Sequence, residues 1–165
     1  MIAMKSNLLP NVADWTEFSY RSLFDIKKGK RLTKQNMNPG TTPFVGSSAV
    51  NNGVTGFISQ DAIFPAGVIT VSYDGSIAEA FYQPEPFWAT DDVNVLYPKF
   101  ELNKYTALFL TTLIRKEKYR FNYGRKWHLG RMNESIIKLP VNENNDPDWL
   151  FMENYIKSLP FSSGV

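Results

Sequence analysis

The chain has 165 residues, 43% of them hydrophobic and 15% aromatic, which is enough to bury a core and too apolar for a disordered tail. With no cysteine there is no disulfide framework or thiolate metal site, and a single histidine argues against zinc chemistry of the usual kind. A net charge of +2 points to no particular partner, so the distribution of charge has to carry the argument.

Residues 1–11, MIAMKSNLLPN, lack the long apolar run and small-residue cleavage pattern of a signal peptide, so the expected location is the cytoplasm. Lys27 to Lys34 then holds five cations and no acid. Five β-branched or aromatic stretches follow: Pro43 to Ala49, Val54 to Ser59, Gly67 to Tyr73, Ser76 to Gln83 and Asp92 to Tyr97. Asn51-Asn52-Gly53, Pro65-Ala66-Gly67, Asp74-Gly75 and Pro84-Glu85-Pro86 punctuate them, which predicts short strands joined by turns. Tyr73-Asp74-Gly75-Ser76 is the best hairpin signal, because Asp-Gly suits positive φ.

From Asn103, an N-cap candidate, Tyr105, Leu108, Phe109, Thr112 and Leu113 recur at helical spacing. The predicted helix runs into a second basic segment. Arg115 to Arg131 has seven cations and one acid, so the two segments carry +6 and +5 and the rest of the chain carries −9. Charge concentrated in this way can present a focused field to a polyanion. The stretch KYRFNYGRKWHLGRM (118 to 132) places Tyr119, Phe121 and Tyr123 at a period of two, the pattern of a half-buried strand. Ser135 to Leu139 reads as a strand and Asn142 to Asp146 as a loop. Asp146 is the expected cap of a last helix with Pro147 at its first position, an apolar stripe of Trp149, Leu150, Met152, Tyr155 and Ile156, and a stop at Pro160. No repeat or low-complexity linker appears, so one domain over 1–165 is expected.

Catalytic signatures are scarce. Asn38-Pro39-Gly40 is not the Asn/Asp-Pro-Pro-aromatic loop of an adenine methyltransferase, and neither a methyl-donor glycine turn nor a P-loop is present. His128 has no carboxylate nearby in sequence to orient it. Asp91-Asp92, or Asp74 with Glu79, could hold a metal, but acids at turns and strand starts commonly cap or shape loops. The expectation is a protein that is not an enzyme.

Six stretches in order carry a resemblance: FDIKKGKRLTK (24 to 34), PFVGSSAVNNGV (43 to 54), FPAGVITVSYDGSIAEAFYQ (64 to 83), FWATDDVNVLYP (87 to 98), EKYRFNYGRKW (117 to 127) and PDWLFMENYIKSLP (147 to 160). Together they resemble the target recognition domain of type I restriction-modification specificity (S) subunits and of related type IIB and IIG systems. The resemblance implies an α+β fold, an irregular coiled β-sheet of many short strands followed by helices. It also implies sequence-specific recognition of double-stranded DNA, directing a partner adenine methyltransferase (modification) subunit and a restriction/translocase subunit to the site. S-adenosylmethionine and ATP would belong to those partners, leaving this chain with no cofactor and no metal. A full specificity subunit has two recognition domains separated by long spacer helices. A half-subunit working with a second copy or second recognition domain, an excised domain and a split-gene product all stay open. Residues 147–159 are either a short C-terminal helix or the start of a shortened spacer. Where the family often reads Asp-Gly-Ser-x-Gly, this chain has Ala78 last, which would be strained if the position needs positive φ.

On this reading Lys28, Lys30, Arg31, Lys34, Arg125 and Lys126 contact phosphates, while Asn51, Asn52, Tyr73, Ser76, Asn122 and Arg125 read bases. Arg125 holds either role. Gly46, Gly53, Gly75 and Gly124 serve turns, and Trp88 and Trp127 are core packing before they are stacking platforms. Two other classes remain: a non-catalytic protein-interaction module, and a single-strand or RNA binder stacking bases on Tyr119, Tyr123 and Trp127.

Overall fold

A computed structural model describes residues 11–122, 124–160 and 162–165. In chain order the elements are β1 (Thr16–Ser19), α1 (Tyr20–Leu23), β2 (Phe24–Lys28), β3 (Pro39–Val45), β4 (Val54–Ile58), β5 (Val68–Ser72), β6 (Ala80–Gln83), β7 (Trp88–Ala89), β8 (Val93–Pro98), α2 (Lys104–Arg115), α3 (Leu129–Glu134), β9 (Ile136–Leu139) and α4 (Trp149–Ser158). The fold is α+β, with most strands early and the long helices late. Its strands form three small sheets: β2-β8-β5-β6, all antiparallel; β4-β3-β7, with β3 and β7 parallel; and β1-β9, which ties the two ends together.

The middle strands β5 and β8 are covered on both faces. Ile69, Val71 and Leu96 face one apolar cluster with Tyr20, Leu110, Ile114 and Trp127, while Val68, Val93 and Val95 face a second with Val45, Phe64 and Phe87. Double burial is why residues 68–71 and 93–96 are buried at every position rather than at alternate ones, including the polar Thr70 and Asn94. Helix α2 lies over β6 and α4. Asn103 caps it, accepting from the Tyr105 and Thr106 amides at 3.0 and 2.9 Å, and its buried stripe includes Ala107, Leu110 and Ile114. Burying each large aliphatic contributes about 1.5–3 kcal/mol, so packing stabilises this helix more than its cap does. Among the described residues no helix is long and apolar enough to cross a membrane.

Several expected boundaries move. The segment from Tyr119 is no strand: a 3-10 turn spans Lys116–Tyr119, and Asn122 and Arg125 close a tight turn. Tyr119 is 75% exposed, whereas Phe121 is buried and stacks on Trp127 with centroids 5.0 Å apart; Tyr123 lies outside the described residues. The period of two therefore reflects one buried ring beside an exposed one, not a sheet. The last helix is capped by Asp148, whose carboxylate accepts from the Phe151 amide at 3.0 Å, and not by Asp146. Pro147 instead bridges back to Val141. The expected strand from Ser76 begins only at Ala80, because Ala78 adopts φ 60° and keeps the chain turning. Elements β1, β2, β7, α1 and α3 escape the sequence reading. His128 caps α3, its Nδ1 accepting from the Arg131 amide at 3.4 Å.

Candidate nucleic-acid interface

The first basic segment leaves β2 and crosses the edge of the neighbouring sheet. Lys27 and Lys28 pair with Val95 and Asn94 of β8; the Gly29 amide then donates to the Val93 carbonyl and the Lys30 amide to the Ala89 carbonyl, both at 2.8 Å. A Cβ on Gly29 would sit 1.9 Å from the Thr90 carbonyl oxygen, so only glycine passes here. The Trp88 indole, 8% exposed, donates to the Lys30 carbonyl at 2.8 Å, and the Lys30 ammonium rests 5.8 Å from the Trp88 ring centroid. Leu32 and Met37 pack on Phe44, Ile58 and Trp88. Trp88 thus anchors the cationic loop and is no stacking platform. Lys28, Lys30, Arg31 and Lys34 are exposed, and none has a carboxylate within 4.0 Å among the described residues.

The second segment is different. Arg115 and Lys118 both reach the buried Glu79, Arg120 pairs with Glu117 at 3.5 Å, and Lys126 pairs with Asp74 at 2.6 Å. Four of its seven cations are therefore paired, and counting Glu79 and Asp74 with the segment lowers its formal +6 to +4, so this segment is less free than the first. Arg125 stays exposed with its guanidinium 5.6 Å from the Phe121 ring centroid, and Arg131 donates to the Lys126 carbonyl at 2.9 Å. Of the acids once open to a metal, Asp74 and Glu79 are engaged by these cations, and the described residues hold no group of three or more potential ligands.

The two segments meet at the turn after β5. Tyr73 and the Asp92 carboxyl lie within electrostatic reach of both Lys28 and Lys126, and the Lys28 ammonium is 5.7 Å from the Tyr73 ring centroid. The Ser47 hydroxyl donates to the Asp74 carbonyl and accepts from the Ser76 amide at 2.9 Å. The Ser72 hydroxyl donates to the Ser76 carbonyl, and the Tyr73 hydroxyl to that of Asp91. The Lys126 ammonium, with the Gly75 amide at 2.8 Å, holds the Asp74 carboxyl below its ordinary range, and Asp74 in turn raises Lys126. Hydrogen bonding to the Tyr73 hydroxyl raises Lys28; burial, then Asp91 and Asp74, raise Asp92.

Of the expected base readers, Tyr73 and Ser76 sit in this turn, both half-buried. Asn51 and Asn52 lie at the far end of the loop that starts near Ser47, at φ 53° and 58°. The Asn52 side-chain amide donates to the Tyr82 carbonyl at 3.0 Å and to Gln83 Oε1 at 3.2 Å, while Gln83 Nε2 donates back to the Asn52 carbonyl and to Thr70 Oγ1, each at 3.0 Å. Asn122 Oδ1 accepts from the Gly124 and Arg125 amides at 2.9 and 3.1 Å. Bidentate reading of adenine needs a free donor and a free acceptor on one amide. In the free chain the Asn52 donors and the Asn122 acceptor are engaged in bonds that shape their loops. Asn51 remains exposed, on the rim of a groove of about 460 Å³ with Thr55, Phe57 and Glu85. Sequence reasoning overlooked Ser47, Gln83 and the anchoring donor on Trp88. Their partners lie 13 to 58 residues away, so no local pattern announces them.

Comparison with known proteins agrees with this architecture. The chain is 41% identical over 144 residues to the "Type II restriction enzyme BgcI specificity subunit S.BcgI" of Heyndrickxia coagulans, covering 86% of this chain and 42% of that protein. It superposes on the S subunit of a type I restriction-modification system from M. genitalium with a TM-score of 0.65 at 16% identity, over 87% of this chain and 37% of that one. The HsdS subunit from Thermoanaerobacter tengcongensis gives 0.60 at 13% identity, over 98% and 44%. The chain thus spans less than half the length of these relatives. The family model described as "Type I restriction modification DNA specificity domain" matches residues 13–161, and the chain belongs to that family.

Proposed function

We propose that this chain is one target recognition domain that docks on double-stranded DNA and reads part of a recognition site. It would act for a partner adenine methyltransferase subunit and a restriction/translocase subunit, with a second copy or second recognition domain reading the other part of the site. It supplies no catalytic group of its own on this reading. The observation that carries the proposal is the loop of Lys28, Lys30, Arg31 and Lys34, unpaired with any described carboxylate and braced by Gly29 and Trp88. A braced cationic loop holds charge at fixed positions against a phosphate backbone, giving affinity and register. Beside it the Tyr73 to Ala78 turn offers side chains fixed by hydrogen bonds, the rigidity that base reading needs.

Single-strand binding is the weaker reading, because Trp127 is 0% exposed and Trp88 is turned to the loop backbone. The test is a competition titration with a labelled random-sequence duplex. Unlabelled duplex should displace it at far lower concentration than single-stranded RNA of equal length. Equal or better displacement by the RNA would overturn the duplex reading.

A further inference from the structure

We infer that Asp74 is a specificity-determining residue: its carboxylate accepts from an exocyclic amino group on a base edge, cytosine N4 or adenine N6, while Lys126, its partner in the free protein, moves to a phosphate. This rests on the duplex-reading proposal above and goes beyond it by naming the group and the chemistry it selects.

Asp74 stands where the two basic segments meet, with Lys126 at 2.6 Å and with Asp92 and Tyr73 linking it to Lys28. A duplex drawn onto those cations must press against this carboxylate. Phosphate oxygens, guanine O6 and N7, and thymine O4 would all repel it, since each is an acceptor. The major-groove donors that can satisfy it are the amino groups of cytosine and adenine. A carboxylate squeezed against an acceptor is left desolvated and unpaired, so rejection of the wrong base exceeds the gain from the right one.

The turn is built to hold such a group still. Asp74 Oδ1 accepts from the Gly75 amide at 2.8 Å, while Oδ2 carries Lys126 and is the atom freed when that ammonium moves. Ser47 bonds both the Asp74 carbonyl and the Ser76 amide, and a Cβ on Gly75 would come within 2.8 Å of Ser47 Oγ. The neighbouring acids are less available: Asp91 Oδ1 accepts from Thr90 Oγ1 at 3.1 Å, and Asp92 is partly desolvated. The free protein keeps Asp74 neutralised by Lys126, so an acidic group on the DNA-facing surface does not block the first encounter. On docking, the ammonium exchanges a carboxylate for a phosphate and the carboxylate exchanges an ammonium for an amino group.

The experiment is selection from a random duplex library, with the full chain as wild type, Asp74→Asn, Asp74→Ser and Lys126→Ala, each checked for a native thermal transition. Wild type should enrich a motif with at least one position restricted to a single base pair by about tenfold. Both Asp74 variants should lose that restriction and keep the other positions. Lys126→Ala should keep the motif, weaken binding uniformly and lower the salt slope by about one. An unchanged motif in the Asp74 variants would overturn the inference, leaving Asp74 as a counter-ion only. Failure of every protein, wild type included, to enrich any motif would instead overturn the duplex-reading proposal beneath it.

Discussion

Ala78 shows how two small effects set one residue. It sits at φ 60°, where an L side chain costs on the order of 1 kcal/mol, yet its methyl group is fully buried, and burial returns roughly 0.8 kcal/mol. Ala78→Gly should therefore change stability by less than about 0.5 kcal/mol in urea unfolding, whereas Ala78→Val, branched at a positive φ, should cost more than about 2 kcal/mol. Equal losses for the two would show that packing alone rules the site. The Asp74–Lys126 pair makes a pH prediction. Asp74 is lowered from its ordinary 3.8, so the pair adds stability above that pH and loses it as pH falls through the lowered folded value. Thermal melts of wild type and Asp74→Asn should accordingly differ near neutrality and converge in strong acid; a gap that persists there would deny the pair its role. At this scale the sequence is legible where partners are local: Asn103 with Tyr105 and Thr106, and Asn122 with Gly124. The bond between Asn52 and Gln83 is not legible in the same way, because the two are 31 residues apart.

Elements were legible where composition, turn residues or a helical period marked them. Strands β4, β5 and β8 stand within a residue or two of their expected limits because turn residues bound β-branched and aromatic runs, and helix α2 starts where expected because its buried stripe repeats at helical spacing. The four-residue strands β1 and β9, which pair end to end of the chain, show too few residues for any period; only β9 was marked, by the proline that ends it. The stretch after α2 misled for the opposite reason, because rings at alternate positions mimic a strand although Phe121 is held by stacking on Trp127. The cationic loop depends on a packing constraint that is hard to see in KKGKR. Gly29→Ala has to push the loop away from the Thr90 carbonyl. It should cost about 2 kcal/mol or more in unfolding and weaken duplex binding further than the lost stability explains. Unchanged binding by a folded Gly29→Ala protein would separate the loop's geometry from DNA recognition.

Across the whole molecule, the family resemblance carries what composition could not, because a net +2 hides an uneven charge. The fold pairs most of the second basic segment with Glu79, Glu117 and Asp74, and leaves the Lys28 to Lys34 loop as the main uncompensated positive surface among the described residues. On the proposed function this loop, with Arg125 and a released Lys126, grips a DNA backbone. Duplex affinity measured against salt concentration tests it most directly. For about six neutralised phosphates, log K should fall against log salt with a slope of roughly −5, dropping to roughly −2 when Lys28, Lys30, Arg31 and Lys34 are changed to alanine together. A nearly flat wild-type response, or a slope the four substitutions leave unchanged, would contradict it.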